Sequence, residues 1–84
     1  MIATDALQTI PSVGPSIAAE LRSLGYEQVE DLREECPEEM FATLCELRGE
    51  KIDRCVLYTF RCAVYFASNS RHEPQLLKWW NWKD

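Results

Sequence analysis

The chain has 84 residues, enough for one domain with a modest core, and its 46% hydrophobic content excludes a disordered chain. Its formal net charge of −5 argues against strong unaided nucleic-acid binding, because phosphate affinity comes largely from Lys and Arg. The first ten residues lack the pattern of a signal peptide, and the apolar run 55–67 is too short to span a bilayer, so we expect a cytoplasmic protein without membrane contact.

The amino-terminal quarter predicts two short helices joined by a tight hairpin. Thr4 and Asp5 are suited to capping a first helix that runs to about Ile10, where Pro11 stops it. Pro15 suits the first turn of a second helix that ends near Leu24, before Gly25. Apolar residues at helical spacing on both sides of the hairpin indicate that the two helices share a core.

Three further helices follow in the prediction. A short connector holds Val29 and Leu32 inward, a fourth helix begins at Pro37 and ends at Gly49, and a fifth begins after Asp53. The fifth helix is the most apolar, so we expect it at the centre, with these residues in the core: Val56, Leu57, Phe60, Val64 and Tyr65. A polar loop and a Trp-rich tail beginning at Pro74 complete the chain.

The hairpin sequence Pro11-Ser12-Val13-Gly14, with the small Ala18 on the following helix, resembles the helix-hairpin-helix motif. In that family the turn usually reads Pro-Gly-Val-Gly, and its backbone amides contact a nucleic-acid phosphate. The resemblance implies a phosphate site at Gly14, Ser16 and Ile17, where free amides and the helix dipole favour an anion. Ser12 departs from the pattern, since it stands where the first glycine is expected.

A second, degenerate copy of the motif is indicated 37 positions later. The shift places Leu7 on Leu44, Ile10 on Leu47 and Ala18 on Cys55. The matching phosphate site would comprise Arg48, Gly49, Lys51 and Arg54. The expected fold is an all-α, five-helix tandem helix-hairpin-helix (SAM-like) domain with a short Trp-rich helix or turn: first motif 4–24, connector 28–34, second motif 37–67 and tail 74–84.

The strings at 53–67 and 78–84, taken with the hairpin, resemble the small bacterial pathogenicity-locus family, some members of which are labelled mitomycin-resistance-like. The resemblance covers essentially the whole chain, and the terminal Trp-Trp-Asn-Trp-Lys-Asp is its most specific part. It implies a helix-hairpin-helix domain without an established enzymatic activity.

The residue types and their spacing give little support for an active site or for a bound metal or cofactor. The single histidine, His72, lies in a polar loop and is expected to face solvent. The four cysteines contain no C-x-x-C pair, so we expect reduced thiols and no metal, with Cys36 the most exposed. We therefore predict no enzymatic activity.

Two interpretations of the tail remain open. As a clamp, it would bury Trp79 or Trp80 against the helices and hold Trp82 less tightly. As a surface, the three rings would bind a partner or stack on single-stranded nucleic acid.

Two functions also remain open. One is non-enzymatic, sequence-independent DNA binding or an accessory role in DNA processing, weak and sensitive to salt. The alternative is a protein-interaction or self-association module without nucleic-acid binding, using the acidic segment 27–39 or the tail.

Overall fold

The computed structural model describes residues 6–83, which form three α-helices and contain no β-strand. The helices are α1 (Pro15–Ser23), α2 (Pro37–Arg48) and α3 (Arg54–Ser68). Within the same residues, short 3-10 turns lie at Ala6–Thr9, Val29–Leu32, Pro74–Leu77 and Trp79–Trp82. The all-helical prediction is confirmed, but the predicted count of five helices is wrong: the first and third are single 3-10 turns.

The third predicted helix is capped at its start but ends after a single turn. The Asp31 carboxylate accepts hydrogen bonds from the backbone amides of Glu27 and Gln28, at 3.0 and 3.1 Å. Glu34, three residues further on, has a positive φ of 58°, so the chain leaves the helical region before a second turn forms. At the amino end, Pro11 stops the first turn, and the predicted caps Thr4 and Asp5 lie outside the described residues.

Helix α3 lies at the centre of the domain, as predicted. Leu57, Phe60 and Val64 are buried, whereas Val56 and Tyr65 are half-buried. The core also takes residues from the first two 3-10 turns, the hairpin, α1 and α2: Leu7, Ile10, Val13, Ala18, Leu21, Leu32, Met40 and Leu44. Leu7 and Leu32 of the first two turns are thus buried although these segments are not full helices, whereas the two turns of the tail have no fully buried residue.

The tail differs from the prediction for its tryptophans, because none of the three is fully buried. Trp79 and Trp82 are half-buried, and Trp80 is 50% exposed. The Trp82 indole Nε1 donates to the Leu76 carbonyl at 2.8 Å, and its own carbonyl accepts from Arg61 Nη1 at 2.7 Å. Its ring lies 5.6 Å from the Tyr65 ring. Trp82 therefore holds the tail in place, and the expectation that it would be the loosest ring is wrong.

Two other exposure predictions also need correction. His72 is half-buried: its Nε2 lies 2.8 Å from the Phe66 carbonyl, and its ring stacks on the Phe66 ring at 4.5 Å. Cys36 is half-buried at the start of α2, whereas Cys55 is exposed at the start of α3. Cys62 is buried as expected, and burial raises the pKa of its thiol.

Candidate nucleic-acid interface

The first hairpin has the turn geometry that a glycine would normally supply. The Val13 amide donates to the Ile10 carbonyl at 3.1 Å, which closes a four-residue turn with Pro11 in its second position. Ser12, in the third position, has φ +74°. Proline followed by a residue with positive φ is the pattern of a type II turn, in which glycine is preferred at that third position. Ser12 therefore adopts the conformation of the glycine it replaces.

The Ser12 side chain also ties the hairpin to the tail. Its Oγ donates to the Leu77 carbonyl at 3.0 Å. Cys62 also contacts both segments: its Sγ lies 3.5 Å from the Leu76 carbonyl of the tail and 3.9 Å from the Pro11 carbonyl of the hairpin. These contacts to a distant part of the chain offset the cost of a non-glycine residue in the left-handed region.

The amino end of α1 is open to an anion. Gly14 is the cap residue and has no side chain, Pro15 has no N–H, and the first turn carries no acidic residue. Counted from the amino end of α1, Ala18 is the first residue whose backbone amide has an acceptor: it donates to the Gly14 carbonyl at 2.9 Å. The preceding amides of Ser16 and Ile17 belong to the group that no helix can satisfy internally. An anion would find donors there without displacing a protein group.

The other two helices begin differently. Helix α2 carries Glu38 and Glu39 in its first turn. Helix α3 is capped by Asp53, whose carboxylate accepts from the Cys55 amide at 2.8 Å. This hydrogen bond holds the pKa of Asp53 below its usual range. Of the three α-helices in residues 6–83, α1 alone therefore starts without a carboxylate beside its amides.

The second predicted site is less favourable to phosphate than its charges suggest. Gly49 has φ +67° and closes α2, and its amide donates to the Cys45 and Glu46 carbonyls at 2.9 and 3.2 Å. That amide is therefore not available to a ligand. The 37-residue repeat is also uneven in packing: Leu44 is buried like Leu7, but Leu47 is 61% exposed.

The basic side chains near the second hairpin differ in their surroundings. Arg48 forms an ion pair with Glu20 of α1, which joins the end of α2 to α1. Arg54 is exposed on α3, and its Nε lies 3.4 Å from the Tyr58 hydroxyl. Lys51 is exposed in the loop and forms no ion pair with any residue in 6–83. Lys51 is thus better placed for a phosphate than Arg48.

A cleft that the sequence did not indicate lies between the start of α2, the middle of α3 and the tail. It has a volume of about 500 Å³, and its walls include Val64, Tyr65 and Trp82. Arg61 crosses it, since its Nε donates to Glu38 Oε2 at 2.9 Å. This ion pair lowers the pKa of Glu38. One sequence feature could have indicated this cleft: polar and aromatic residues recur at helical spacing on the side of α3 that faces away from the core.

Neither a metal centre nor a membrane span is found in the part of the chain that the structure describes. No three His, Cys, Asp or Glu side chains of residues 6–83 converge as metal ligands would. Within those residues, every helix is too short or too polar to cross a bilayer.

Residues 6–83 thus form an all-helical fold with a glycine-type hairpin and a Trp-rich tail. A family model described as pathogenicity locus (Cdd1) matches residues 2–84, so the chain belongs to that family. It is also similar to the mitomycin resistance protein McrB of Streptomyces lavendulae. The two are 29% identical over 76 residues, which cover 90% of this chain and 69% of that protein. No solved structure matches the chain.

Proposed function

We propose that this chain is a non-enzymatic helix-hairpin-helix module that binds nucleic acid without sequence specificity. The 3-10 turn Ala6–Thr9, the hairpin and α1 form the binding motif. Helices α2 and α3, joined by the loop 49–53, form its degenerate counterpart. The name of the Streptomyces relative is compatible with a role at DNA, and the fold of the hairpin supplies the chemistry for it.

The observation that carries the proposal is the open amino end of α1. Ser16 and Ile17 present backbone amides at the positive end of the helix dipole, beside a turn in which Ser12 has the backbone conformation of a glycine. Backbone amides recognise phosphate and read no base, so binding is independent of sequence. Lys51, in the loop after α2, and Arg54, at the start of α3, would supply the positive charge of the proposed site. The few phosphate contacts make binding weak and readily lost as salt is raised.

A substitution that changes charge without harming the helix tests this site. Ser16 is exposed in the first turn of α1, so Ser16→Asp places a carboxylate among the free amides. An acidic residue there stabilises the helix by about 0.3–1 kcal/mol, while it competes with a phosphate. We expect duplex DNA affinity to fall about tenfold at low salt, with a melting temperature equal to or above that of the parent.

Thr43→Asp is the matched control. Thr43 is exposed on α2, near Glu39, and its substitution changes the net charge by the same amount. Fluorescence anisotropy with a labelled duplex measures both variants. The proposal is wrong if Ser16→Asp binds as well as the parent, or if the two variants lose equal affinity.

A second candidate function rests on the acidic segment. All seven of its acidic side chains are exposed: Glu27, Glu30, Asp31, Glu34, Glu35, Glu38 and Glu39. Such a surface suits a basic protein partner or a basic surface of a second copy. A sizing measurement at low and high salt tests self-association: a dimer at low salt, without DNA binding, favours this function over the first.

A further inference from the structure

One surface of this acidic protein combines cations with aromatic rings. We name it the basic–aromatic face and define it by residues of α3 and of the tail: Arg54, Tyr58, Arg61, Tyr65, Lys78, Trp79, Trp80 and Lys83. It contains none of the α1 amides, although Arg54 also belongs to the phosphate site proposed above. Its two parts meet at the cleft, where the Arg61 side chain bonds to the Trp82 carbonyl.

On α3, charged and aromatic side chains share one side of the helix. Arg54, Tyr58 and Arg61 are spaced by four and three residues, so they follow one another along the helix surface. The Arg54 and Arg61 guanidinium carbons lie 5.9 and 5.6 Å from the centre of the Tyr58 ring. These cation–π contacts fix the rings and charges in a row.

In the tail, Trp80 contributes less than Trp82 to holding the chain in place. Trp80 is 50% exposed and meets Trp79 edge to face at 5.9 Å. The Lys83 ammonium lies 5.8 Å from the centre of the Trp79 ring. Half of the large Trp80 ring therefore stays in water, in a small domain that has little apolar surface to bury.

Charge is divided unevenly along the chain, and this face belongs to the positive half. Residues 1–50 contain eleven acidic and three basic side chains, whereas residues 51–84 contain six basic and three acidic ones. Arg61 forms an ion pair with Glu38, and Arg54, Lys78 and Lys83 are exposed. The net charge of −5 therefore conceals a positively charged carboxyl-terminal part of the chain, which also carries the exposed Trp80.

We infer that the basic–aromatic face binds single-stranded nucleic acid. Bases stack on Trp80, and the phosphates between them lie near Arg54, Lys78 and Lys83. Rings that alternate with cations provide this recognition, because every base has a flat face and every nucleotide carries a phosphate. A duplex is disfavoured here, since its bases are already stacked on each other. The inference goes beyond the proposed function and uses none of the α1 amides.

Anisotropy with labelled oligothymidylate and oligouridylate, against a duplex, tests the inference and distinguishes DNA from RNA. Trp80→Leu keeps an apolar side chain but removes the ring, and we expect it to weaken single-strand binding about tenfold, the effect typical of one stacked base. Trp80→Phe keeps a ring and retains most of the affinity. Fluorescence quenching of the parent on adding the oligonucleotide is a second readout of stacking.

Two controls separate stacking from general effects. Leu47→Ala removes an exposed apolar residue that lies outside this face, and Arg22→Ala removes a cation from the acidic half; neither changes the single-strand affinity. Equal binding of the oligonucleotides by Trp80→Leu and the parent overturns the inference, as does an equal loss of duplex and single-strand affinity in Trp80→Leu. If Ser16→Asp leaves duplex binding intact while Trp80→Leu loses the single strand, the proposed function fails and this inference stands.

Discussion

Replacing Trp82 by alanine is the most demanding test of how the tail is held. The substitution removes the indole N–H bond to the Leu76 carbonyl and the ring contact with Tyr65. Loss of about 100 Å² of buried apolar area, at about 25 cal/mol per Å², costs about 2.5 kcal/mol. One lost hydrogen bond costs about 1 kcal/mol. We therefore expect Trp82→Ala to lower the free energy of unfolding by about 3.5 kcal/mol.

Trp80→Ala is the natural comparison, because Trp80 is half exposed and meets chiefly its neighbour Trp79. We expect it to cost at most about 1 kcal/mol. Urea unfolding followed by circular dichroism measures both variants, and the slope of each transition shows whether the denatured state has changed. If Trp80→Ala destabilises the domain more than Trp82→Ala does, the assignment of Trp82 as the anchor is wrong.

Three other predictions follow from single contacts. Ser12→Gly should have a free energy of unfolding near that of the parent, whereas Ser12→Ala should be less stable by about 1 kcal/mol or more. Alanine keeps the left-handed φ and loses the hydrogen bond to the tail. Equal stability of the two variants would contradict the glycine-type turn. Arg48→Ala should lower the free energy of unfolding by about 1–2 kcal/mol, because it leaves the largely buried Glu20 carboxylate without its partner. Adding Glu20→Gln to Arg48→Ala should recover part of that loss in a double-mutant cycle. If nothing is recovered, the pairing is contradicted. Burial and a hydrogen bond to Glu35 raise the pKa of Tyr26 to about 12, so folding stability is retained up to about pH 10 and falls as pH rises toward 12. Tyr26→Phe should flatten that decline in alkaline urea titrations, and an unchanged decline would show that Tyr26 does not cause it.

Local sequence signals accounted for the helices and for the hairpin. The long apolar run of α3 required a buried helix, and Pro15, Pro37 and Gly49 marked helix boundaries by their backbone properties alone. These signals depend on neighbours in the chain, so they can be interpreted without the fold. The helix count was too high because 3.6-residue spacing over four or five residues cannot distinguish a single 3-10 turn from a short α-helix.

The side-chain roles in the tail and the loops could not be predicted in the same way. Trp82 is fixed by Arg61 and Tyr65, which lie on α3 some twenty residues earlier. His72 is fixed by stacking on Phe66. Such partners are selected by the tertiary arrangement, and hydrophobic periodicity indicates a buried face without naming what covers it. The cleft escaped detection for the same reason, since its walls come from α2, α3 and the tail.

The central claim is that the open amino end of α1 holds a phosphate. Nuclear magnetic resonance of the ¹⁵N-labelled chain, titrated at low salt with a short DNA duplex, observes those amides directly. We expect the largest shifts on the amides of Gly14, Ser16 and Ile17, and we expect these shifts to disappear in Ser16→Asp. Shifts confined to other residues, with these three amides unmoved at saturation, would contradict it.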